Sequence, residues 1–240
     1  IATILAQEGA TVAINGRKPE RVGSAMDKIR QIYPEAKLQG VTADLSTAVG
    51  AELTFQQVPV VDILVNNLGI YQAKEFGEIT DVDWMEIIET NLMSGVRLSR
   101  HYLPLMLQQN WGRIIFISSE SAVNIPAEMI HYGVTKTAQL ALARGMAETT
   151  VGSNVTVNSI LAGPTKSEGV ETFVQDMAQS GNIDPSQVEK EFFEKTRPSS
   201  LIKRFATPEE VAALVAFVAS PLASAINGAA LRVEGGVVRS

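Results

Sequence analysis

The feature that most constrains this chain is the alternation of short apolar runs with segments of helix length. The runs at 60–65, 114–117 and 155–161 are rich in β-branched residues, as in parallel strands buried on both faces. Shorter strands are predicted at 11–15, 37–42 and 230–233. Strands separated by helices predict βαβ units, and hence a parallel sheet covered by helices on both sides.

The intervening segments carry helical periodicity and helix-start signals. Helices are predicted at about 81–109 and 131–150, and Pro19 and Pro208 each open another. The chain also opens inside a helix that runs up to Gly9. No internal repeat or linker interrupts this pattern, so residues 1–240 are interpreted as one domain.

Residues 166–203 depart from the alternation, with two short amphipathic pieces and a polar stretch. An insertion after the carboxyl end of a strand is where substrate lids lie in open α/β sheets. A substrate lid is therefore expected here, and a pair of surface helices without a role is the alternative.

Composition excludes several classes of partner. The 240 residues carry 20 Lys and Arg against 26 Asp and Glu, a net charge of -6, so no basic field attracts nucleic acid or an anionic membrane. The longest apolar stretch, 211–226, contains Pro221 and is shorter than the roughly 20 residues of a membrane span. With no cysteine and two histidines, neither a disulfide nor a metal site is expected, and a cytoplasmic location fits.

The candidate chemistry centres on Tyr132 and Lys136. Four residues apart on a predicted helix, they share one face about 6 Å apart along its axis. Ser119 follows the strand at 114–117, residues 66–69 follow the strand at 60–65, and Asn91 lies in the helix between. Since parallel strands end at one edge of a sheet, these polar groups should converge there. The alternatives are a core-packed Tyr132 and a mid-helix Asn91 bonded to backbone.

The order and spacing of Asn91, Ser119, Tyr132 and Lys136 match the catalytic tetrad of the short-chain dehydrogenase/reductase family. The whole chain resembles that family, in particular its 3-oxoacyl reductase-like branch. Further matching segments are Asn66-Asn67-Leu68-Gly69, with Leu68 for the usual Ala; Asp44 after a strand; Ala162-Gly163-Pro164-Thr165, with Ala162 for Pro; and Glu234 where Asp is usual.

The resemblance implies a Rossmann-type doubly wound parallel sheet in three α/β/α layers, a single dinucleotide-binding catalytic domain. It also implies a strand between those ending at Asn15 and Asn66, followed by a Gly-rich turn that these residues do not contain. We therefore expect roughly 20–30 further N-terminal residues in the natural protein. The family's assembly through the helices at 81–109 and 131–150 implies a homotetramer.

The mechanism that the resemblance implies is physically reasonable. Reducing a carbonyl by hydride transfer requires a proton in the same step, which Tyr132 would supply. A free phenol has a pKa of about 10, so a nearby cation must lower it, and Lys136 is the expected cation. In the family this lysine also holds the nicotinamide ribose, the serine bonds the substrate oxygen, and the asparagine anchors a water.

Cofactor choice depends on the end of the strand at 11–15. A carboxylate there would favour NAD, whereas this chain has Asn15-Gly16-Arg17-Lys18, and a guanidinium pairs with phosphate in bidentate fashion. NADP is therefore the preferred cofactor, and NAD is the alternative. Arg17 and Lys18 would have no role in cofactor choice if they were only solvated charges of the loop. The expected cofactor contacts are Asn15, Arg17, Lys18, Asp44, Leu45, Asn67, Leu68, Gly69, Tyr132, Lys136, Gly163 and Thr165.

The predicted function is an NADP-dependent oxidoreductase that interconverts a small-molecule ketone and a secondary alcohol. An NAD-dependent sugar or polyol dehydrogenase and a non-catalytic nucleotide-binding scaffold are the alternatives. Glu120 and Asn124 follow Ser119, and either contact with substrate or exposure to solvent fits their positions.

Overall fold

The computed structural model describes residues 1–181 and 183–239, with backbone alone at 173, 176 and 180. All of its named strands pair in parallel, in two sheets. The strands are β1 Val12–Gly16, β2 Leu38–Thr42, β3 Ile63–Asn66, β4 Gly112–Ser119, β5 Val155–Ala162 and β6 Ala230–Val233. β1 pairs with β2, and the other four follow the order β3-β4-β5-β6.

Helices connect successive strands and cover the sheets. They are α1 Ala2–Gln7, α2 Pro19–Ile32, α3 Ala48–Gln57, α4 Asp81–Ile88, α5 Ser94–Gln108, α6 Ile130–Glu148, α7 Glu168–Gly181, α8 Pro185–Glu191 and α9 Pro208–Ala219. In the described part of the chain, no helix combines the length and hydrophobicity that crossing a bilayer requires.

The structure differs from the sequence-based expectation in three elements. α3 was not predicted, because its sequence includes Gly50 and shows little amphipathic periodicity. β3 begins at Ile63 rather than at 60, after the turn that carries Pro59, which has no amide hydrogen to donate to a ladder. The helix predicted at 81–109 is divided by a π-helical turn, Glu89–Met93, between α4 and α5.

The central strand β4 is buried along its whole length and packs differently on each face. Ile114 and Phe116 join the core cluster formed with α5 and α6. Ile115 and Ile117 alternate with them and pack against α9 on the other face. This period of two confirms the predicted three-layer α/β/α arrangement, and it sets the carboxyl end of β4 between the layers.

The 166–203 segment is helical. α7 and α8 are followed by a π-helical turn, Phe192–Thr196. Phe192, Phe193 and Phe205 pack with ring centroids 5.0–5.1 Å apart, which gives this segment an apolar core of its own. Helices α7 and α8 lie on either side of the predicted break at 181–185, of which residue 182 lies outside the described residues, and a function as a lid stays a prediction.

Gly50 provides a stability test of the join between β2 and α3. A β-carbon at Gly50 would lie 1.9 Å from the Asp44 carbonyl oxygen, so backbone must move to accommodate it. We expect Gly50→Ala to lower the free energy of unfolding by about 2 kcal/mol. Gly23→Ala in α2 is the matched control, because no atom lies within 4 Å of its added β-carbon. That control should gain about 0.5–1 kcal/mol in denaturant unfolding; equal losses in both variants would contradict this account.

Candidate active site

Helix α6 is fixed against the end of β4 by hydroxyl groups. The Ser118 hydroxyl donates to the Lys136 carbonyl oxygen at 2.9 Å, and the Thr137 hydroxyl donates to the Ala122 carbonyl oxygen at 2.7 Å. These contacts place Tyr132 and Lys136 of α6 beside Ser119, the last residue of β4. The expectation that polar groups from several elements converge at one edge of the sheet is met for these three residues.

Tyr132 and Lys136 share one face of α6, as their spacing predicts. The Lys136 Nζ lies 5.6 Å from the centroid of the Tyr132 ring. The Ser119 hydroxyl accepts from the Ser121 amide at 3.1 Å, which holds it at the end of β4. The Tyr71 ring meets the Tyr132 ring edge-on at 6.3 Å, and its hydroxyl also lies close to Gly169 at the start of α7. The start of the 166–203 segment therefore adjoins this site.

Burial and several neighbouring groups affect the acidity of Tyr132. Burial raises the pKa of the Tyr132 phenol, and the hydrogen bond from Ser119 is the largest opposing effect. Negative charge on Glu120 raises this pKa further, whereas the Arg197 guanidinium lowers it. Arg197 was not expected in this role, and a lowering by Lys136 stays a prediction.

Burial also changes the acidity of Lys136. Burial lowers the pKa of its ammonium to about 8, so the lysine is partly neutral slightly above neutral pH. The Lys136 Nζ donates to the Ile117 carbonyl oxygen at 2.8 Å and to Gln139 Oε1 at 3.4 Å. Two acceptors in a nearly dry environment hold this amine beside the phenol.

Asn91 lies in the π-helical turn and is 1% exposed. Its Oδ1 accepts from the Ile70 amide at 2.7 Å, while its Nδ2 donates to the Ile70 carbonyl oxygen at 2.9 Å and to the Thr135 hydroxyl at 3.1 Å. The side chain thus binds the backbone of the loop after β3 rather than its own helix. This fixes that loop next to α6.

Gln139 is a site residue that the sequence analysis missed. Its Nε2 donates to the Asn91 carbonyl oxygen at 2.6 Å, and its Oε1 accepts from Lys136, so one amide bridges two members of the tetrad. Gln139 follows Lys136 by three residues, one turn along the same face, and that spacing was the available signal.

The loop after β3 passes close to the tetrad. A β-carbon at Gly69 would lie 3.5 Å from Lys136 Nζ and from Asn91 Oδ1, so its backbone borders the site directly. Asn67 is exposed, and Leu68 packs its side chain against the core cluster. Glycine at this position leaves room beside the lysine for a bound group.

The other expected cofactor residues belong to β1, β2 and their loops. Asn15 Nδ2 donates to the carbonyl oxygens of Val41 and Ala43, joining the ends of the two strands. Hydrogen bonds from Ser46 to the carboxylate lower the pKa of Asp44, as does the charge on Arg17.

Arg17 and Lys18 are exposed at the end of β1, where two cations face solvent. The Leu45 side chain is buried in the core cluster, so only its backbone is available to a cofactor. These residues lie at the ends of the two-stranded sheet, whereas Ser119 of the tetrad ends a strand of the four-stranded one.

Gly163 and Thr165 follow β5. A β-carbon at Gly163 would lie 2.6 Å from the backbone of Glu234, so only glycine fits where β5 and β6 end side by side. The Thr165 hydroxyl donates to the Gly163 carbonyl oxygen at 2.9 Å. The Glu234 carboxylate accepts from the amides of Val237 and Val238, which holds the chain after β6 in place.

Glu120 proved to be neither solvent-facing nor free. It is 3% exposed and pairs with Arg197, 77 residues further along the chain, with Nε and Oε1 2.8 Å apart. Asn124 is exposed and lines a cleft of about 430 Å³ between residues 124–128 and 195–197. In the described residues no cluster of three or more acidic or histidine side chains is arranged to hold a metal ion.

Comparison with known proteins agrees with this geometry. A family model described as enoyl-(acyl carrier protein) reductase matches residues 1–238. The oxidoreductase YvaG of Bacillus subtilis is 48% identical over 240 residues, covering 100% of this chain and 91% of that protein. The 3-oxoacyl-(acyl carrier protein) reductase FabG of Aquifex aeolicus is 32% identical, covering 99% and 91%.

A solved structure shows the same fold. L-sorbose reductase from Gluconobacter frateurii, complexed with NADPH and L-sorbose, matches with a TM-score of 0.91 at 27% identity, covering 100% of this chain and 91% of that one. The sequence match over nearly the whole chain and the shared fold agree. The chain belongs to the short-chain dehydrogenase/reductase family, and it is an oxidoreductase of alcohol and ketone groups.

Proposed function

We propose that this protein interconverts a small-molecule ketone and a secondary alcohol with NADP, using Tyr132 as the general acid and base. The observation that carries the proposal is the Tyr132 ring, 5.6 Å, ring centroid to Nζ, from the buried Lys136 amine, with the Ser119 hydroxyl lowering the pKa of the phenol. A phenol, a hydroxyl and an amine held together at the carboxyl edge of a parallel sheet suit proton transfer to a carbonyl oxygen.

The chain has features that fit a nicotinamide nucleotide. The absent side chain at Gly69 leaves space beside Lys136 Nζ, and exposed Arg17 and Lys18 offer charge to a phosphate. The remaining contacts to the cofactor would come from the end of β1, the segment after β2 and the loops after β3 and β5: Asn15, Asp44, the backbone of Leu45, Asn67, Gly163 and Thr165. When bound, the cofactor supplies or accepts the hydride at the carbonyl carbon.

The chain's own residues would manage the proton. Ser119 and Tyr132 would both donate hydrogen bonds to the substrate oxygen, which orients it and stabilises its developing negative charge. The Tyr132 proton would move to that oxygen as the alkoxide forms. Lys136 would hold the ribose and, with a pKa of about 8, exchange a proton near neutral pH. Asn91 and Gln139 would keep Lys136 in position.

The comparisons support the cofactor and leave two substrate classes. L-sorbose reductase was solved with NADPH, which favours NADP over NAD here. Its substrate favours a sugar or polyol as the second candidate, whereas FabG, a 3-oxoacyl reductase, favours an acyl-type ketone. We also propose a cytoplasmic homotetramer assembled through α4–α5 and α6, with residues 166–203 as the lid. Light scattering of the purified protein tests the assembly.

Removing the phenol hydroxyl tests the acid directly. We expect Tyr132→Phe to reduce kcat by a factor of at least about 100, because the alkoxide then has no proton donor in reach. The affinity for NADPH, measured by fluorescence titration, should stay within about threefold of the wild-type value. Tyr33→Phe, at a tyrosine outside the site, controls for general effects. An active Tyr132→Phe variant would exclude this residue as the acid.

Cofactor preference is tested at Arg17. Losing a charge-assisted bond to phosphate should weaken NADPH binding by about 10- to 100-fold in Arg17→Gln, with little change for NADH. Arg30→Gln, at the far end of α2, removes an equivalent exposed charge and should change neither affinity. Equal weakening of both cofactors by Arg17→Gln would argue against a phosphate contact.

The buried charge of Lys136 should lower the free energy of unfolding at neutral pH. Its pKa is lowered from 10.5 to about 8, so keeping it charged in the fold costs about 3 kcal/mol below pH 8. This cost declines as pH rises from 8 to 10.5, where the unfolded chain still binds the proton that the folded one has lost.

We expect Lys136→Met to be inactive yet more stable than the wild type at pH 7, with the difference shrinking towards pH 10. Urea unfolding across this range measures it. Lys28→Met, at an exposed lysine, should show no such pH-dependent difference from the wild type. A Lys136→Met variant that is less stable at pH 7 would contradict the burial cost.

A further inference from the structure

The ion pair between Glu120 and Arg197 is unusual for its burial. Their side chains are 4% and 8% exposed, and Arg197 Nε lies 2.8 Å from Glu120 Oε1. Among the ion pairs of the described residues, no other joins two side chains that are both under a tenth exposed. Glu120 follows Ser119 directly, and Arg197 follows the last turn of the 166–203 helices, so the pair joins that segment to the catalytic strand.

Packing alone does not require charges at this place. Phe192, Phe193 and Phe205 already bury the end of the segment in an apolar cluster. A buried ion pair is weak evidence for stability, because taking two charges out of water costs about as much as their attraction returns. The pair is therefore expected to have a role other than stabilising the fold, and the residues around it indicate what that role is.

The pair adjoins the catalytic strand, because Glu120 directly follows Ser119. The groups that affect the pKa of the Tyr132 phenol are the Ser119 hydroxyl, Glu120 on the turn after β4, Tyr71 on the loop after β3, and Arg197. Lys136 lies on the same helix as the phenol. The Glu120 carboxylate raises the pKa of the phenol, and the Arg197 guanidinium lowers it.

The carboxylate of Glu120 depends strongly on its partner. Its Oε1 accepts from Arg197 and from the Ser121 hydroxyl at 3.3 Å, whereas its buried Oε2 has no hydrogen-bond partner in the described part of the chain. Glu234 faces it from the chain after β6 with a like charge, and Glu128 lies 4.0 Å from Arg197. Burial raises the pKa of the Glu120 carboxyl and Arg197 opposes that rise, so without Arg197 this buried carboxyl would lose the charge that compensates it.

We propose that Glu120 and Arg197 are a positioning pair for the reaction. Arg197 anchors the end of the 166–203 segment beside Ser119 and neutralises the carboxylate that would otherwise oppose ionisation of Tyr132. The pair touches neither cofactor nor reacting atoms and acts through Tyr132, so this inference rests on the proposed function. It couples the chemistry to the position of this segment, because moving the segment away withdraws Arg197 from Glu120.

The experiment uses four variants of the full chain: Arg197→Met, Arg197→Lys, Glu120→Gln and the double variant Glu120→Gln/Arg197→Met. The control is Arg204→Met, the same substitution at the arginine that directly follows this segment and whose ion pair with Glu210 is exposed. Three properties are measured for each: the pH profile of kcat for alcohol oxidation, hydrogen exchange across 185–197, and the titration of ring-labelled tyrosines by NMR. The chain has four tyrosines, and Tyr132→Phe assigns the relevant signal.

Opposite shifts are expected from the two single variants. Arg197→Met should move the basic form of Tyr132, and with it the rise of kcat, to higher pH, and Glu120→Gln should move both to lower pH. Arg197→Met should also reduce kcat by on the order of 100-fold at neutral pH and speed exchange across 185–197. Arg197→Lys should recover the pH profile but only part of the protection from exchange. The double variant should lie closer to wild type than Arg197→Met, and the control should be unchanged.

Shifts in the same direction, or no shift in either single variant, would overturn the proposal. A merely structural pair would speed exchange in both variants without moving the Tyr132 titration in opposite directions. If Arg197→Met does not fold, Arg197→Lys and Glu120→Gln still decide the sign. The NMR titration and hydrogen exchange need no turnover, so they test the pair even if an active Tyr132→Phe variant has disproved the proposed function.

Discussion

The structure depends on the burial of β4 on both faces. Because Ile114 and Phe116 pack against α5 and α6 while Ile115 and Ile117 pack against α9, the strand cannot slip or tilt without opening two cores. Ser119 at its end is thereby held in place, and α6 is fixed to the same strand through Ser118. The rigid core therefore determines the separation between the serine hydroxyl and the phenol.

Burial also sets the electrostatics of the site. Low polarity raises the pKa of the Tyr132 phenol and lowers that of the Lys136 amine, so both neutral forms are favoured. The two pKa values, nearly equal in water, are thereby moved apart, so the proton stays on the phenol and the lysine loses its own proton more easily. The hydrogen bond from Ser119 and the charge on Arg197 then restore part of the acidity that the phenol loses.

Local sequence patterns were sufficient to predict most of the fold and the residues of the tetrad. The β-branched runs predicted the strands, and the four-residue spacing of Tyr132 and Lys136 predicted their shared face, because both properties repeat with the local backbone geometry. The π-helical turn at Asn91 and the helix at 48–57 lacked such a repeat. Arg197 was missed for another reason: its partner is 77 residues away, and nothing in the adjacent sequence marks a contact made only by folding.

The most direct test of the central claim is isotope transfer from NADPH deuterated at the nicotinamide C4, in both stereochemical forms, to a panel of ketones including L-sorbose and a 3-oxoacyl ester. The account predicts deuterium on the carbinol carbon from one of the two forms. It also predicts a solvent isotope effect on the same turnover, since the proton on oxygen comes from Tyr132. Binding of NADPH with no deuterium in any product would contradict it.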